Sequence, residues 1–267
     1  MPELPEVESI RQVLLSSLKN QKIKKYNIKN DRINRFNNYK PRVSGFLLDI
    51  NRKGKLLIFE FSKYSFLFHL GMSGRLNLNN KETKYTHAIF NFEQDILNYE
   101  DIRKFGYIKI LPKEIVQQHL NNIGPDALTI SKQETEDVFK KTSKSNITIK
   151  RFLLNQNNIS GIGNIYVNEI LFQSKISPFS PSMNLKEDQF FELINSTKKI
   201  LKNSIENKGT TLNDFTYYLP NGNYGQNQIN LLIYGKTFCS SCSSKIDKIY
   251  LDKRATYECK ICQKFLK

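Results

Sequence analysis

Four cysteines constrain this chain more than any other feature: they fall as Cys239-Ser-Ser-Cys242 and Cys259-Lys-Ile-Cys262, with sixteen residues between the pairs. Doubled Cys-x-x-Cys spacing of this kind suits a four-thiolate tetrahedral zinc site, and in a reducing compartment paired knuckles favour zinc over disulfides. Between the pairs, Lys248 to Leu251 and Ala255 to Glu258 read as two short strands, with Asp252, Lys253 and Arg254 at the turn. The expectation is one structural zinc ion holding a β-hairpin, the metal standing in for a core that so short a segment cannot build. Arg254 is then either a rigidly presented ligand for phosphate or the minor groove, or a solvated turn arginine; spacing alone allows both.

Charge narrows the partners. Lys and Arg number 41 against 25 acidic residues, a formal charge of +16. Such a surface suits a phosphate backbone, although a ribosomal or membrane-surface protein is also basic. There is no run of about 18 apolar residues for a membrane span, and the start MPELPEVE is acidic and lacks an apolar signal core. The expected setting is therefore the cytoplasm, with no membrane partner.

The pattern along the chain predicts an α+β protein. Val7, Ile10, Leu14 and Leu18 have helical spacing after Pro5, so a helix is expected from about Pro5 to Lys19. From Ile23 to Ile110 short β-rich runs follow, among them Lys55 to Phe61, Ser65 to His69, Ala88 to Phe92 and Tyr107 to Leu111, giving an N-terminal β-sandwich or barrel-like domain. A linker is expected around Gly124-Pro125-Asp126. Helices then read over Glu134 to Lys141, Ile147 to Leu154, Asn164 to Ser174 and Glu187 to Asn203. The expected domains are 1–127 (β-sandwich with flanking helices), 128–232 (helical) and 233–267 (zinc finger). Between two of the helices, Ser160-Gly-Ile-Gly-Asn164 is either an ordinary interhelical turn or a backbone clamp that holds phosphate at a helix N-terminus.

Six motifs then point one way: Pro2-Glu-Leu-Pro-Glu-Val-Glu8, His69-Leu-Gly-Met-Ser-Gly74, Asp101-Ile-Arg-Lys-Phe-Gly106, Gly161-Ile-Gly-Asn-Ile-Tyr166, Gly209-Thr-Thr-Leu212 and Arg254-Ala-Thr256. In this order, and with the cysteine spacing, the chain resembles the bacterial formamidopyrimidine-DNA glycosylase family. The endonuclease VIII branch typically opens Pro-Glu-Gly-Pro-Glu, so Leu4 points to the purine-excising branch. The resemblance implies a C-terminal helix-two-turns-helix domain with a β-hairpin zinc finger. It also implies a bifunctional base-excision-repair glycosylase and abasic-site lyase, a monomer acting on double-stranded DNA that contains an oxidised purine such as 8-oxoguanine or a formamidopyrimidine.

The resemblance also assigns roles. After removal of Met1, Pro2 would offer a secondary amine as nucleophile; an α-amino group titrates near 8, and the adjoining helix N-terminus disfavours its cation. Its attack gives an iminium that serves as an electron sink for β,δ-elimination. Glu3 matches the acid that assists sugar opening. Glu6, Tyr217 and Tyr218 are placed at the lesion pocket. Lys55, Asn164 and Arg254 match phosphate ligands, with Lys55 and Arg254 counted among the catalytic set, and His69 among the DNA contacts. Met72, Arg103 and Phe105 match the side chains that fill the space left by the flipped base. Met72 as a gap-filler and Phe105 as core residue fit the local pattern equally well. Three departures stand out: Ile102 where the family often has proline, Asn157 or Asn158 where relatives often carry lysine, and a closing segment from Thr216 to Ile233 that does not align. Two other classes stay open: an endonuclease VIII-like enzyme for oxidised pyrimidines, and a non-catalytic zinc DNA-binding protein.

Overall fold

The computed structural model describes residues 2–34, 41–212 and 217–267. Thr216, the first residue of the expected closing segment, lies outside them. Helix α1 spans Leu4–Leu18 and buries Val7, Ile10, Leu14 and Leu18, the stripe that its spacing predicts.

Nine strands follow: β1 Lys22–Ile28, β2 Gly45–Phe46, β3 Asp49–Lys53, β4 Leu56–Glu60, β5 Tyr64–His69, β6 Gly74–Leu78, β7 Thr86–Phe92, β8 Ile96–Asp101 and β9 Tyr107–Pro112. They form two antiparallel sheets, in the orders β2-β1-β7-β8-β6 and β3-β4-β5-β9. The sheets share one core with the buried stripe of α1, and in it Phe66 and Phe68 of β5 meet Phe90 of β7 at ring-centroid distances of 5.5 and 5.3 Å. This is the β-sandwich expected from the alternating runs. Helix α2, Lys113–Leu120, was not legible in the sequence because it buries only Val116 and so carries almost no apolar stripe.

The remaining helices are α3 Lys132–Thr142, α4 Ile149–Leu154, α5 Asn164–Gln173 and α6 Glu187–Glu206. Ser131 caps α3 by accepting from the Glu134 N–H, and Thr148 caps α4 by accepting from Arg151. Thr148 therefore delays the start of α4 past Ile147, where the apolar pattern alone would begin it. Helix α5 is buried from Ile165 to Phe172, and the Tyr166 hydroxyl meets Ser204 of α6 at 2.5 Å.

Strands β10, Asp247–Leu251, and β11, Arg254–Glu258, make the expected hairpin. Leu251 pairs with Arg254 in register, so the turn is the two-residue Asp252-Lys253, both at positive φ. Arg254 opens the second strand and is not a turn residue as its neighbours suggest, because a two-residue loop with both φ positive matches the strand twist.

The chain forms two compact units: residues up to Asn122 together with Asn207–Gln228, and Ile123–Glu206 together with Ile229–Lys267. This division differs from the three consecutive domains expected from sequence. Residues 207–228 return to the N-terminal unit, and the β10–β11 hairpin belongs with the helices.

Candidate active site and nucleic-acid interface

In the N-terminal unit, Pro2 and Glu3 are buried at the head of α1. Glu6, one turn on, reaches back so that its Oε2 accepts from the Glu3 N–H at 2.8 Å, while its Oε1 accepts from the Thr210 N–H at 2.7 Å. One carboxylate thereby ties the segment carrying Pro2 to a backbone turn more than 200 residues away. Gly209 makes the approach feasible: its φ is +83°, and a Cβ there would lie 2.9 Å from the Glu6 side chain. The Tyr217 hydroxyl donates to the Glu6 carbonyl at 3.0 Å. Burial, then the Glu6 charge, pushes the Tyr217 phenol well above its usual range, so it stays a donor.

The turn Gly54-Lys55 joins β3 to β4. Arg52 fixes it, donating to the Gly54 carbonyl at 2.8 Å and to Glu8 Oε2 at 3.0 Å, and Glu8 also pairs with Arg11 at 2.7 Å. Burial alone would raise the Glu8 carboxyl, but hydrogen bonds and charge from Arg11 and Arg52 outweigh it and hold it below the usual range. Helix α1 and the Lys55 turn are thus one electrostatic assembly.

A second cluster gathers loops 70–74 and 101–106. Gly71, at φ +56°, lies so close to Phe105 and Gly106 that a Cβ would fall 2.5 Å from the Gly106 nitrogen. The Asp101 carboxylate, fully buried, organises both loops: Oδ1 accepts from the Ser73 hydroxyl and from Arg103 N–H at 3.2 Å, and Oδ2 accepts from Gly106 N–H at 2.8 Å. Ser73 Oγ in turn accepts from Arg103 N–H at 2.9 Å. The result presents Met72 half-buried, Arg103 exposed and Phe105 48% exposed, with the Arg103 guanidinium 4.7 Å from the Phe105 ring. Phe105 is therefore not a core residue. His69 stacks on Tyr107 at 5.3 Å and accepts from the Gly71 N–H through Nδ1.

In the helical unit, Gln156 templates the turn before α5, accepting from Gly161 N–H and donating to the carbonyls of Leu154 and Ile162. Gly163 is the N-cap of α5 and brings no capping side chain. Asn164, the first residue of α5, donates through Nδ2 to the Ala255 carbonyl at 3.1 Å. Arg254, adjacent on β11, is exposed.

The four cysteine Sγ atoms lie within 4.8 Å of one another, with Cys239 to Cys262 at 3.8 Å and Cys242 to Cys259 at 3.5 Å. Thiolates about 2.3 Å from a tetrahedral zinc stand roughly 3.8 Å apart, so the donor set fits zinc in kind and in spacing. The Ser244 hydroxyl lowers the Cys242 thiol to about 6, while hydrogen bonding to Cys242 pushes Cys262 up to about 12. Glu169 on α5 anchors the segment entering this module by accepting from the N–H groups of Leu232, Ile233 and Tyr234.

Residues 1–108 match the formamidopyrimidine-DNA glycosylase N-terminal domain, and residues 123–216 match that family's H2TH domain. The chain is 36% identical to the formamidopyrimidine-DNA glycosylase of Mycoplasma pneumoniae over 277 residues, with 98% of this chain and 99% of that protein covered. It is 33% identical to that of Psychromonas ingrahamii, covering 98% and 100%. Among solved structures, it matches the Lactococcus lactis protein complexed with DNA containing an abasic site at a TM-score of 0.88 and 31% identity, covering 98% and 99%. A complex of MutM with DNA containing carbocyclic 8-oxoguanine matches at 0.88 and 32%, with the same coverage. The chain belongs to the formamidopyrimidine-DNA glycosylase family.

As a formamidopyrimidine-DNA glycosylase family member, the chain carries its expected residues in separate clusters. Pro2, Glu3 and Glu6 come together at the head of α1; His69, Met72, Arg103 and Phe105 gather around Asp101; Asn164 and Arg254 meet through Ala255. Tyr217, expected at the lesion pocket, lies in the N-terminal core. It is 4% exposed there and spends its hydroxyl on the Glu6 carbonyl, so it anchors the site from beneath. Tyr218 lies under the Arg75 guanidinium at 4.9 Å and against Tyr224 at 5.2 Å. Sequence reasoning assigned no role to Asp101, Ser73, Thr210 or Lys150. An aspartate bonded to the N–H two residues on is a readable turn signal, but the partners contributed by distant loops are not.

Proposed function

We propose that this protein is a bifunctional DNA glycosylase and abasic-site lyase that excises oxidised purines through a Schiff base on Pro2. The observation that carries the reading is the Glu6 carboxylate held between the Glu3 and Thr210 N–H groups, which fixes the nucleophile-bearing segment at the positive end of α1. Once Met1 is removed, the neutral amine of Pro2 attacks C1′ of the damaged nucleotide and the base departs with the bonding electrons and a proton. Glu3 protonates the ring oxygen as the sugar opens to the iminium. Proline's tertiary iminium has no N–H to lose, so it persists as an electron sink. Loss of the C2′ proton then expels the 3′ phosphate, and a second elimination expels the 5′ phosphate.

In this reading Lys55, Asn164 and Arg254 grip the phosphates around the extruded nucleotide, and Met72, Arg103 and Phe105 occupy its place in the duplex. Exposure of an aromatic and an arginine side by side on a loop pinned by a buried carboxylate supports that assignment. Zinc, when bound, cross-links the hairpin that presents Arg254. The working state is a monomer in the cytoplasm, bound to the nucleoid through DNA.

The test is borohydride trapping on duplex containing 8-oxoguanine opposite cytosine, using protein whose N-terminal Met is verified absent. A covalent adduct mapped to Pro2 and much diminished in Pro2→Gly is expected. An adduct formed on thymine glycol duplex but not on 8-oxoguanine would transfer the protein to the pyrimidine branch. No adduct on any lesion would remove the catalytic reading.

A further inference from the structure

Lys150 is buried to 1% exposure on α4, a position where a lysine is retained only if its ammonium is well partnered. Its Nζ donates to the Ala255 carbonyl at 2.9 Å and to Thr256 Oγ1 at 2.8 Å. Thr256, itself fully buried, donates its single hydroxyl proton to the Arg254 carbonyl at 3.2 Å. An ammonium only donates, so Lys150 forces the threonine rotor to aim its proton at Arg254. The Ala255 carbonyl also accepts from Asn164 Nδ2, and Asn168 Oδ1 accepts from the Tyr257 N–H at 2.8 Å. The Ala255 carbonyl and the Tyr257 N–H lie along the edge of β11 that β10 does not pair, in the two-stranded ribbon.

We propose that Lys150 is the positioning residue of the phosphate grip: it locks β11 at Ala255 and Thr256 so that Arg254 and Asn164 are held in one fixed relation. The proposal rests on the reading of Arg254 and Asn164 as phosphate ligands. Neither side chain reaches the other directly; the shared Ala255 carbonyl and the Thr256 relay are their mechanical link. A hairpin fixed by zinc at its base alone would leave the tip free to rock about the knuckles, and a charged hydrogen bond at the start of β11 removes that freedom before DNA arrives.

The experiment is a double-mutant cycle read by binding to a duplex carrying a tetrahydrofuran abasic analogue, with Lys150→Gln, Arg254→Ala and both together. Lys150→Gln is expected to weaken binding about tenfold and to lower the slope of log K against log salt by about one, as though the Arg254 contact were gone. Its zinc stoichiometry should stay at one per chain. The double variant should bind more weakly than Arg254→Ala by much less than the loss that Lys150→Gln alone causes, because only the Asn164 contact is left to position. Strictly multiplicative losses, or an unchanged salt slope, would overturn the proposal. If Arg254→Ala itself leaves binding and slope unchanged, it is the phosphate reading that fails. Should Lys150→Gln not fold, Thr256→Val removes the hydroxyl link to the Arg254 carbonyl while Lys150 Nζ keeps the Ala255 carbonyl, and it enters the cycle in its place, with the same outcomes deciding.

Discussion

Asp101 and Glu8 are two carboxylates on which the placement of other residues depends, and neither touches a reacting atom in the proposed chemistry. Asp101 accepts hydrogen bonds from Ser73, Arg103 and Gly106 while fully buried, so replacing it with alanine strips the Ser73 hydroxyl and the Gly106 N–H of their acceptor around a small void, with Arg103 N–H left to Ser73 alone. Asp101→Ala should cost about 2–4 kcal/mol in urea denaturation. Excision should also fall more steeply than abasic-duplex binding, because Arg103 and Phe105 lose their fixed start. Glu8 makes a pH prediction. Its folded pKa lies below its ordinary value, so the stability it contributes is present above that ordinary value, near 4.5, and is lost as pH falls through the folded value. Glu8→Gln should therefore lower the denaturation midpoint at pH 7, by an amount on the order of 1–3 kcal/mol for the lost charge-assisted bonds, and the gap to wild type should close in acid. A gap that persists unchanged at pH 3 would mean that packing, not charge, was lost.

At the level of elements, the junction of α1 with the Gly209 turn shows what the sequence could and could not convey. The stripe of α1, the strand runs, the α4 and α5 spans and the cysteine spacing were legible because each is a local periodicity or a fixed offset. The pairing of Glu6 with Thr210 was not, since nothing in either segment marks a partner over 200 residues distant. The bond from Tyr217 to the Glu6 carbonyl was unreadable for the same reason: a tyrosine in a polar loop gives no sign of the core that it enters. Gly209→Ala tests the junction. The added methyl would sit at φ +83° and press on the Glu6 side chain at 2.9 Å, so the turn must open or Glu6 must withdraw. The expected result is a fall in kcat for base excision of about ten- to a hundredfold, with KM nearly unchanged, because the nucleophile and not the DNA grip is displaced. Equal loss through KM would assign the turn to binding instead.

For the whole molecule, the return of residues 207–228 to the N-terminal unit means that chain order and physical grouping diverge: the supports of the Pro2 segment come from both ends of that unit's sequence, while the cysteine hairpin is built onto the helices. The two units should then respond differently to loss of metal. The cysteine module has a small core of its own, Phe172, Ile233, Cys239, Ile246, Tyr257 and Cys259, in which two of the six members belong to the donor set that fits zinc, so removing a bound zinc would take away the cross-link around which the others pack. The β-sandwich has none of its core there. Treatment with a strong chelator should therefore loosen 229–267 to hydrogen exchange while amides of β4, β5 and β7 keep their protection. Affinity for abasic-analogue duplex should drop and its salt slope shrink as Arg254 is released, whereas the +16 charge sustains weak, sequence-independent binding. Re-addition of zinc should restore both. If chelation instead exposed the sandwich strands in step with the hairpin, the two units would unfold as one cooperative body, and the metal would be holding the entire chain and not the phosphate grip alone.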